Sequence, residues 1–369
     1  MKTIAEVVAR HQVVICAGSG GVGKTTTAAA LAVHGAEQGR RTMVMTIDPA
    51  RRLADALGLR SLGNQARKVR IGGGSLDAMM LDQKGAWDAL VERYAPSAEV
   101  RQRILANRFY QHLSESFAGS QEYMAIEQLA ELHDSGRYDL IVVDTPPARH
   151  ALDFIDAPRR IAGFLNRQVI RWFVKPYFSA GWSTLRVVNR AAGNLLHRLE
   201  DATGVKALVE ISDFFNAMSG LFDGFEARVQ VVDKLLHSKQ TAFVVVTSPE
   251  EQVLGESEEF CRQLAGLDVS LRAVVFNRVQ REALAGARRI DEAWLRELVG
   301  SVVKRSGRAD RLVENFLDYE MQSRGDQVRM EAFRRQLPAR TVVAAVPNFE
   351  EDLHDLAGLR RMIPHLIAA

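Results

Sequence analysis

The chain has few cysteines and no C-x-x-C pair. Among its 369 residues only Cys16 and Cys261 are cysteine. Two thiols so far apart in sequence do not form a zinc clamp or a redox pair. Cys16 lies within an apolar run, so we expect it to be a small buried hydrophobic side chain.

Long apolar runs and a strong charge bias are also absent. No uncharged apolar stretch reaches the roughly 18 residues that a membrane-spanning helix requires. Residues 1–10 predict a short amphipathic helix and not a signal peptide, so we expect a cytoplasmic protein. The 48 basic and 45 acidic residues leave a net charge of +3, which does not call for a nucleic-acid partner.

The most informative stretch is VVICAGSGGVGKTTT, at residues 13–27. An apolar run leads into G-x-x-x-x-G-K-T, and a helix-favouring segment follows, which is the context of a phosphate-binding loop. Glycines let backbone N–H groups converge on phosphate oxygens. Lys24 should reach the β- and γ-phosphates, and Thr25 should bind Mg²⁺. A loop that binds nothing would need neither residue, so the sequence predicts nucleoside triphosphate binding. The expected loop contacts are Gly20, Gly21, Val22, Gly23, Lys24, Thr25 and Thr26.

Short apolar runs separated by helical segments predict the fold class. The predicted strands lie at residues 13–17, 42–47, 76–81, 138–143, 242–246, 271–276 and 341–346. This alternation indicates an α/β fold, a P-loop NTPase with a mostly parallel sheet flanked by helices and an inserted helical subdomain. The chemistry of such sheets gathers beyond the carboxyl ends of the strands. Asp48, Asp144, Asn277 and Pro347 all follow predicted strands.

We predict a nucleotide-binding core with two helical insertions. The divisions are a core at 1–151 with a helical part at about 83–136, a helical client-binding-like insertion at 152–238, the rest of the core at 239–277 and 341–369, and a charged helical insertion at 278–340. Residues 161–199 interleave aromatic and basic side chains. This pattern favours equally a hydrophobic client groove or membrane-surface face and a subdomain with its own aromatic core. For the charged insertion we expect solvated helices.

Two aspartates follow buried strands at the predicted phosphate site. Phosphoryl transfer to water depends on a positioned water molecule and on neutralised charge. Asp144, behind LIVV, is placed to hold the metal's water shell, and Asp48 is placed to orient the attacking water. Each could instead cap a helix. For Asp48 alone, capping and catalysis are equally favoured.

Three motifs together resemble one family. The loop GSGGVGKTT resembles that of the arsenite-pump ATPase (ArsA) family, which includes the ATPases that target tail-anchored membrane proteins and is akin to the MinD/ParA group. TIDPARRLAD at residues 46–55 resembles the family's switch I pattern, T-D-P-A-x-x-L-x-D. DTPPARHALDFIDAP at residues 144–158 resembles its switch II pattern. The resemblance follows the predicted sheet from its first strand to its last.

The resemblance implies a Mg²⁺-dependent ATPase with assigned roles. Asp48 would orient and polarise the attacking water, Thr25 would bind Mg²⁺, and Asp144 would hold a metal-bound water. Asn277 would read adenine, with Pro347 in the following nucleotide-binding loop. Switch II would relay the state of the γ-phosphate to the helical insertion, with His150 as a structural member of that relay and not a general base.

Two departures from the family pattern matter. Ser19 stands where the family has a lysine that reaches across a dimer to the partner's ATP. A paralogous partner with that lysine, a local arginine (Arg51 or Arg52), or slow hydrolysis with ATP as a conformational ligand would each account for this. A homodimer and a heterodimer therefore both stay open. The chain is similar to ArsA-like ATPases that occur as unequal pairs in some bacteria, which favours the paralogous partner. The family's arsenite carriers also bind the metalloid through thiolates, which Cys16 and Cys261 do not provide.

The sequence therefore predicts a nucleotide-switched dimeric ATPase that handles a protein or membrane-associated client. The alternative is a MinD/ParA-like scaffold or positioning factor with little turnover. A C-terminal amphipathic anchor would favour that alternative, but the tail at 359–369 is short and interrupted by Pro364. A metabolic kinase is the third hypothesis, and the switch motifs argue against it.

Overall fold

An eight-stranded sheet forms the centre of the molecule. The computed structural model describes residues 2–48, 50–116, 120–147, 153–157, 214, 222–281, 291–303 and 306–367. The strands are β1 (Val13–Gly18), β2 (Arg41–Thr46), β3 (Arg67–Val69), β4 (Ser75–Met80), β5 (Leu140–Asp144), β6 (Thr241–Thr247), β7 (Leu271–Val279) and β8 (Val342–Pro347).

The strand order places the carboxyl end of β1 at the middle of the sheet. The order is β3-β4-β2-β5-β1-β6-β7-β8, and neighbouring strands are parallel except for β3 and β4. From β1 the chain first builds the β5 side of the sheet and then the β6 side. In a parallel sheet a crevice opens where the chain changes the side on which it adds strands, which is called the topological switch point. The predicted fold class, a mostly parallel α/β sheet flanked by helices, is confirmed.

Helices cover both faces of the sheet. The described helices are α1 (Ile4–Arg10), α2 (Lys24–Glu37), α3 (Arg52–Ala56), α4 (Gln83–Tyr94), α5 (Ala98–Leu105), α6 (Arg108–Ser116), α7 (Ser120–Asp134), α8 (Phe222–Leu236), α9 (Glu251–Gly266), α10 (Glu292–Val302), α11 (Ser306–Gln336) and α12 (Leu356–Ile367). On one face the core joins the sheet to α4, α7, α8, α9 and α11. On the other face it joins the sheet to α1, α2, α3 and α12.

Side chains of β1 alternate between these two cores, as the period of a strand requires. Val13 and Ile15 belong to one core, and Val14 and Cys16 belong to the other. Cys16 is fully buried, and burial raises the pKa of its thiol far above the usual range. The expectation that Cys16 is a buried hydrophobic side chain is confirmed.

All seven predicted strands are present, with ends shifted by a few residues. The antiparallel edge strand β3 was not predicted, because three residues of sequence RKV carry no alternation that could be recognised. β7 continues past the predicted end at residue 276 to Val279. Within this extension Arg278 has a left-handed backbone (φ 60°), and the pairing with β8 shifts between Phe276 and Val279.

The long helix α11 is only partly solvated. Its last half packs on the sheet, where the Phe333 ring meets the Phe276 ring edge-on at 5.5 Å between centroids. The Ser323 hydroxyl donates to the Gln280 carbonyl oxygen at 3.0 Å, and the buried Asp326 carboxylate accepts from the Gln280 N–H at 3.2 Å. The expectation of solvated helices therefore holds for α10 and the start of α11 and is wrong for the rest of α11.

The stretch at 161–199, which carries the client-groove hypothesis, lies outside the described residues. The final helix of that predicted insertion, α8, is described. Arg228 of α8 donates to the Glu127 carboxylate at 2.9 Å and to Asp134 at 2.5 Å, and both acidic residues belong to α7. This ion-pair cluster joins α8, at the end of the predicted insertion, to α7.

The C-terminal helix belongs to the core. α12 continues through Pro364, which the sequence had indicated as an interruption. Leu359, Met362 and Leu366 are buried in the same core as α2 and β8. Among the described helices, none is long and apolar enough to cross a membrane.

Candidate active site

Two glycines with left-handed backbones shape the phosphate loop. Gly18 (φ 153°) ends β1 so close to β6 that a Cβ there would lie 2.0 Å from the Val246 carbonyl oxygen. Gly23 (φ 92°) is the residue before α2, and its Cβ would lie 2.3 Å from Nδ2 of Asn277. Only glycine avoids both the strain and the contacts. The loop therefore turns directly into α2, with Lys24 as the first helical residue.

This loop opens into a cavity of about 640 Å³ at the carboxyl ends of the strands. A volume of this size suits a small-molecule ligand. The predicted residues that line the cavity are Gly20, Gly21, Gly23, Lys24, Thr25, Thr26, Asp48, Asn277 and Pro347. Val22 is buried beneath the loop, and Asp144 is buried behind Thr25. The fold thus brings together residues from the carboxyl ends of five strands, β1, β2, β5, β7 and β8.

Lys24 is held inside the loop by a backbone contact. Its ammonium donates to the Ser19 carbonyl oxygen at 2.7 Å. Burial lowers the pKa of Lys24, and the carboxylates of Asp144 and Asp48 act in the opposite direction. The ammonium thus already faces the concave side of the loop, where the phosphates of a nucleotide would bind.

In the part of the chain that the structure describes, the buried Asp144 carboxylate has one oxygen that is hydrogen-bonded and one that is not. Its Oδ2 accepts hydrogen bonds from the hydroxyls of Thr25 at 2.7 Å and Thr46 at 2.9 Å. Its Oδ1 is buried and has no hydrogen-bond partner among the described residues. Burial raises the pKa of Asp144 to about 6, although both hydroxyls and Lys24 lower it.

These oxygen donors fit Mg²⁺. The ion prefers carboxylate, hydroxyl and phosphate oxygens and keeps several of its waters. The Thr25 hydroxyl lies at the cavity wall, and the unpartnered Oδ1 of Asp144 could accept a hydrogen bond from such a water. The two residues predicted for the metal therefore lie together, as the sequence indicated.

Asp48 lies at the start of the loop that follows β2. Its Oδ1 accepts from the Ala50 N–H at 2.9 Å, and its Oδ2 lies 3.5 Å from Nη1 of Arg52. Its own N–H donates to the Thr46 hydroxyl at 3.2 Å. The carboxylate thus accepts a hydrogen bond within its own loop and lines the cavity, and it does not cap α3, which has no side-chain cap among the described residues.

Asn277 joins the far wall of the cavity to the loop. Its Nδ2 donates to the Val22 carbonyl oxygen at 2.8 Å. A side-chain amide has two donor hydrogens and one acceptor oxygen, so this bond uses one donor. Pro347, from the end of β8, lies on the same wall. The residue predicted to read the base is therefore also a structural contact of the phosphate loop.

Two positioning contacts could not be predicted. Thr46 is hydrogen-bonded to both aspartates, and Gln121 of α7 donates to the Ile47 carbonyl oxygen at 2.9 Å. Thr46 is a polar residue at the end of an apolar strand, which is only a weak sign that its side chain makes contacts in the site. No sequence signal indicates Gln121, because it lies 74 residues from its partner. The predicted switch residue His150 lies outside the described residues.

A glycine-rich loop at the switch point of a parallel sheet, with Lys24 and Thr25 opening the next helix and Asp144 bonded to Thr25, defines a P-loop nucleoside triphosphatase. Comparison with known proteins identifies the family. The chain belongs to the anion-transporting ATPase family, whose model matches residues 11–297, and it is therefore an ATPase. This agrees with the predicted ArsA-like resemblance.

Individual relatives are similar over most of the chain. "ATPase GET3" of Malassezia globosa is 28% identical over 270 residues, which cover 72% of each chain. "ATPase ASNA1 homolog 1" of Paramecium tetraurelia is 27% identical over 268 residues, covering 71% of this chain and 73% of the relative. "ATPase get3" of Pyrenophora tritici-repentis is 29% identical over 269 residues, covering 71% and 72%.

The buried Asp144 predicts a distinct pH dependence of stability in the protein without nucleotide or metal. Because its pKa is raised from 3.8 to about 6, the protonated form is favoured in the folded state. This contribution is complete below pH 3.8 and is lost as the pH rises through 6. It amounts to at most about 3 kcal/mol of unfolding free energy. Asp144→Asn should flatten the dependence, as measured by urea unfolding between pH 4 and 7 in EDTA.

Asp139, just before the same strand, offers the matched control. Hydrogen bonds from Arg41 lower its pKa to about 2, so its contribution has the opposite sign and is lost only below pH 4. Asp139→Asn should therefore keep the wild-type slope between pH 4 and 7. An unchanged slope in Asp144→Asn would contradict the assignment of the buried charge.

Proposed function

We propose that this chain is a Mg²⁺-dependent ATPase that works as a nucleotide-switched dimer and handles a hydrophobic protein or membrane-associated client. The observation that carries the proposal is the hydrogen-bonded series Thr25, Asp144, Thr46 and Asp48 beneath the phosphate loop. It joins the proposed metal site to the backbone N–H of Asp48, the residue whose carboxylate is proposed to orient the attacking water, through one threonine. A nucleotide-binding site without hydrolysis would not require both carboxylates.

In this proposal the loop N–H groups and Lys24 hold the β- and γ-phosphates. Thr25 would bind Mg²⁺ directly, and Asp144 would accept a hydrogen bond from one of its waters. When bound, Mg²⁺ neutralises charge on the phosphate oxygens. The Asp48 carboxylate would accept a hydrogen bond from the attacking water and orient its lone pair toward the γ-phosphorus. Asn277 and Pro347 would contact the adenine.

Both strand ends that bear the aspartates continue into segments suited to switching. Asp48 leads into the short helix α3, which spans only Arg52–Ala56. After Asp144, Thr145 donates its N–H and hydroxyl to the Cys16 carbonyl oxygen at 3.2 and 2.9 Å. Asp144 begins the segment at 144–158 that resembles switch II in sequence, and the predicted client-binding insertion starts at residue 152. Loss of the γ-phosphate would thus be relayed from the site to that insertion.

The MinD/ParA-like alternative receives less support. α12, which contains the segment that the sequence raised as a possible membrane-binding helix, buries Leu359, Met362 and Leu366 within the molecule. The better-supported proposal is therefore that ATP hydrolysis is coupled to a client bound at the 152–238 insertion, whose sequence is rich in aromatic and basic residues.

The proposal is tested by three measurements on the full purified chain. Phosphate release should require Mg²⁺ and stop in EDTA. Light scattering should give twice the monomer mass when ATP is bound and also when a slowly hydrolysed ATP analogue is bound. Crosslinking to an apolar helical peptide should differ between the ATP and ADP states. Metal-independent turnover, a monomer in every state, or equal crosslinking in both states would each contradict the corresponding part of the proposal.

A further inference from the structure

We infer that Arg52 is a catalytic residue that donates from its guanidinium to the γ-phosphate, and that it supplies within one chain the second cation of the phosphate site. This inference rests on the proposed ATPase function and assigns a residue to it. It also answers the question raised by Ser19, which the sequence left open between a partner's lysine, a local arginine and slow hydrolysis.

The position of Arg52 is the first observation. It is the first residue of α3, and its side chain lines the cavity together with Lys24, Thr25 and Asp48. Its Nη1 lies 3.5 Å from Oδ2 of Asp48. The guanidinium therefore lies against the carboxylate that we place beside the attacking water, on the phosphate side of the cavity.

The distribution of the other basic residues is the second observation. Among the described residues, the basic side chains of the cavity lining are Lys24, Arg52, Arg278 and His354. Arg278 follows Asn277 on the wall assigned to the base, and it also lines a neighbouring cavity beside α11. Ser19 is 3% exposed and does not line the cavity. Arg52 is thus the arginine on the Asp48 side of the site.

The ion pair of Arg52 can exchange partners easily. The Arg52 side chain is 69% exposed, and its ion pair with Asp48, which lies in the loop before α3, is weak because exposed pairs gain little in water. A triphosphate offers several anionic oxygens, and the planar guanidinium can bind two of them at once. Moving from the Asp48 carboxylate to the γ-phosphate would also leave that carboxylate available to the water.

Electrostatics agree with this geometry. Lys24 and Arg52 both line the one cavity, together with the Asp48 carboxylate. Their charges therefore act on the same small volume. Two cations facing one space favour a polyanionic ligand, and charge that develops on the γ-phosphate oxygens strengthens both contacts.

The test compares Arg52→Ala and Arg52→Lys with Arg51→Ala. Arg51 is the exposed neighbour, makes no side-chain cap on α3 and does not line the cavity. Under single-turnover conditions Arg52→Ala should lower the rate of hydrolysis by about 100-fold. Arg52→Lys should lie between Arg52→Ala and the wild type, and Arg51→Ala should match the wild type. A wild-type rate in Arg52→Ala would overturn the inference.

Two further readouts separate direct contact from indirect or intersubunit effects. Arg52→Ala should weaken binding of ADP with beryllium fluoride, a γ-phosphate mimic, and leave ADP binding unchanged. Equal binding of the mimic would show that Arg52 acts only through Asp48. Mixing Arg52→Ala with Asp48→Asn should restore no activity, whereas restored activity would show that the arginine acts across a dimer. If the wild type itself released no phosphate, the proposed function would fail, independently of Arg52.

Discussion

Replacing Lys24 with alanine is expected to remove both ATP binding and ATP hydrolysis. The ammonium is held at 2.7 Å from the Ser19 carbonyl oxygen and faces the inside of the loop. Contacts between a charged donor and phosphate oxygens in such a buried position are worth a loss of affinity on the order of 100-fold. Hydrolysis should fall further, because Lys24 also meets the charge that develops on the γ-phosphate.

Titration with a fluorescent ATP analogue, followed by phosphate release from the same preparation, measures both effects of Lys24→Ala. Lys84 is a suitable control, since it is a partly exposed lysine paired with Asp88 at 2.8 Å and does not line the cavity. Lys84→Ala should bind and hydrolyse ATP as the wild type does. A Lys24→Ala protein with wild-type affinity would place the phosphates elsewhere.

Asp48→Asn is expected to separate binding from hydrolysis. Asparagine keeps the shape of the side chain and an oxygen that can accept from the Ala50 N–H, so the local loop should persist. The negative charge that we propose to polarise the attacking water is lost, and groups of this kind contribute about 100- to 10,000-fold to a rate. Single-turnover hydrolysis should fall by that factor, while the affinity for ATP should stay within a few-fold of the wild type.

Asp82 provides a matched control for this substitution. Like Asp48 it accepts a nearby backbone N–H, here that of Gly85 at the start of α4, and it lies outside the cavity lining. Asparagine caps a helix about as well as aspartate. Asp82→Asn should therefore leave hydrolysis unchanged. Turnover at the wild-type rate in Asp48→Asn would rule out the role assigned to that carboxylate.

Most of the sheet was predictable because its strands are continuous apolar runs buried on both faces. β5 and β6 are fully buried, and their sequences contain few polar residues that could obscure the pattern. β3 lies at the edge, spans three residues and pairs antiparallel, so neither length nor pattern marks it. The docking of α11 depends on Phe333, Ser323 and Asp326, whose spacing resembles that of any solvated amphipathic helix.

The positions of site residues were predictable from the sequence where those residues lie at strand ends. They were not predictable where they depend on contacts between segments that are distant in the sequence. Lys24, Asp48, Asp144 and Asn277 each lie at or just beyond the carboxyl end of a strand of a parallel sheet, so their convergence follows from topology. The pairing of Arg52 with Asp48 and the junction at Thr46 require side-chain geometry. Ser19 shows where sequence reasoning stops. Its position in the motif shows that the lysine of the family pattern is missing, but only the cavity lining indicates that Arg52 could supply the positive charge instead.

The central claim is that one cavity positions a water at Asp48 for attack on a γ-phosphate held by Lys24 and metal. The most direct measurement is a crystal structure of the full chain with Mg²⁺, ADP and aluminium fluoride, which imitates the phosphoryl group in transfer. We predict a water bridging the Asp48 carboxylate and the aluminium, Thr25 on the metal, and Oδ1 of Asp144 hydrogen-bonded to a metal-bound water. A fluoroaluminate group with no ordered water within hydrogen-bonding distance of Asp48 would contradict the account.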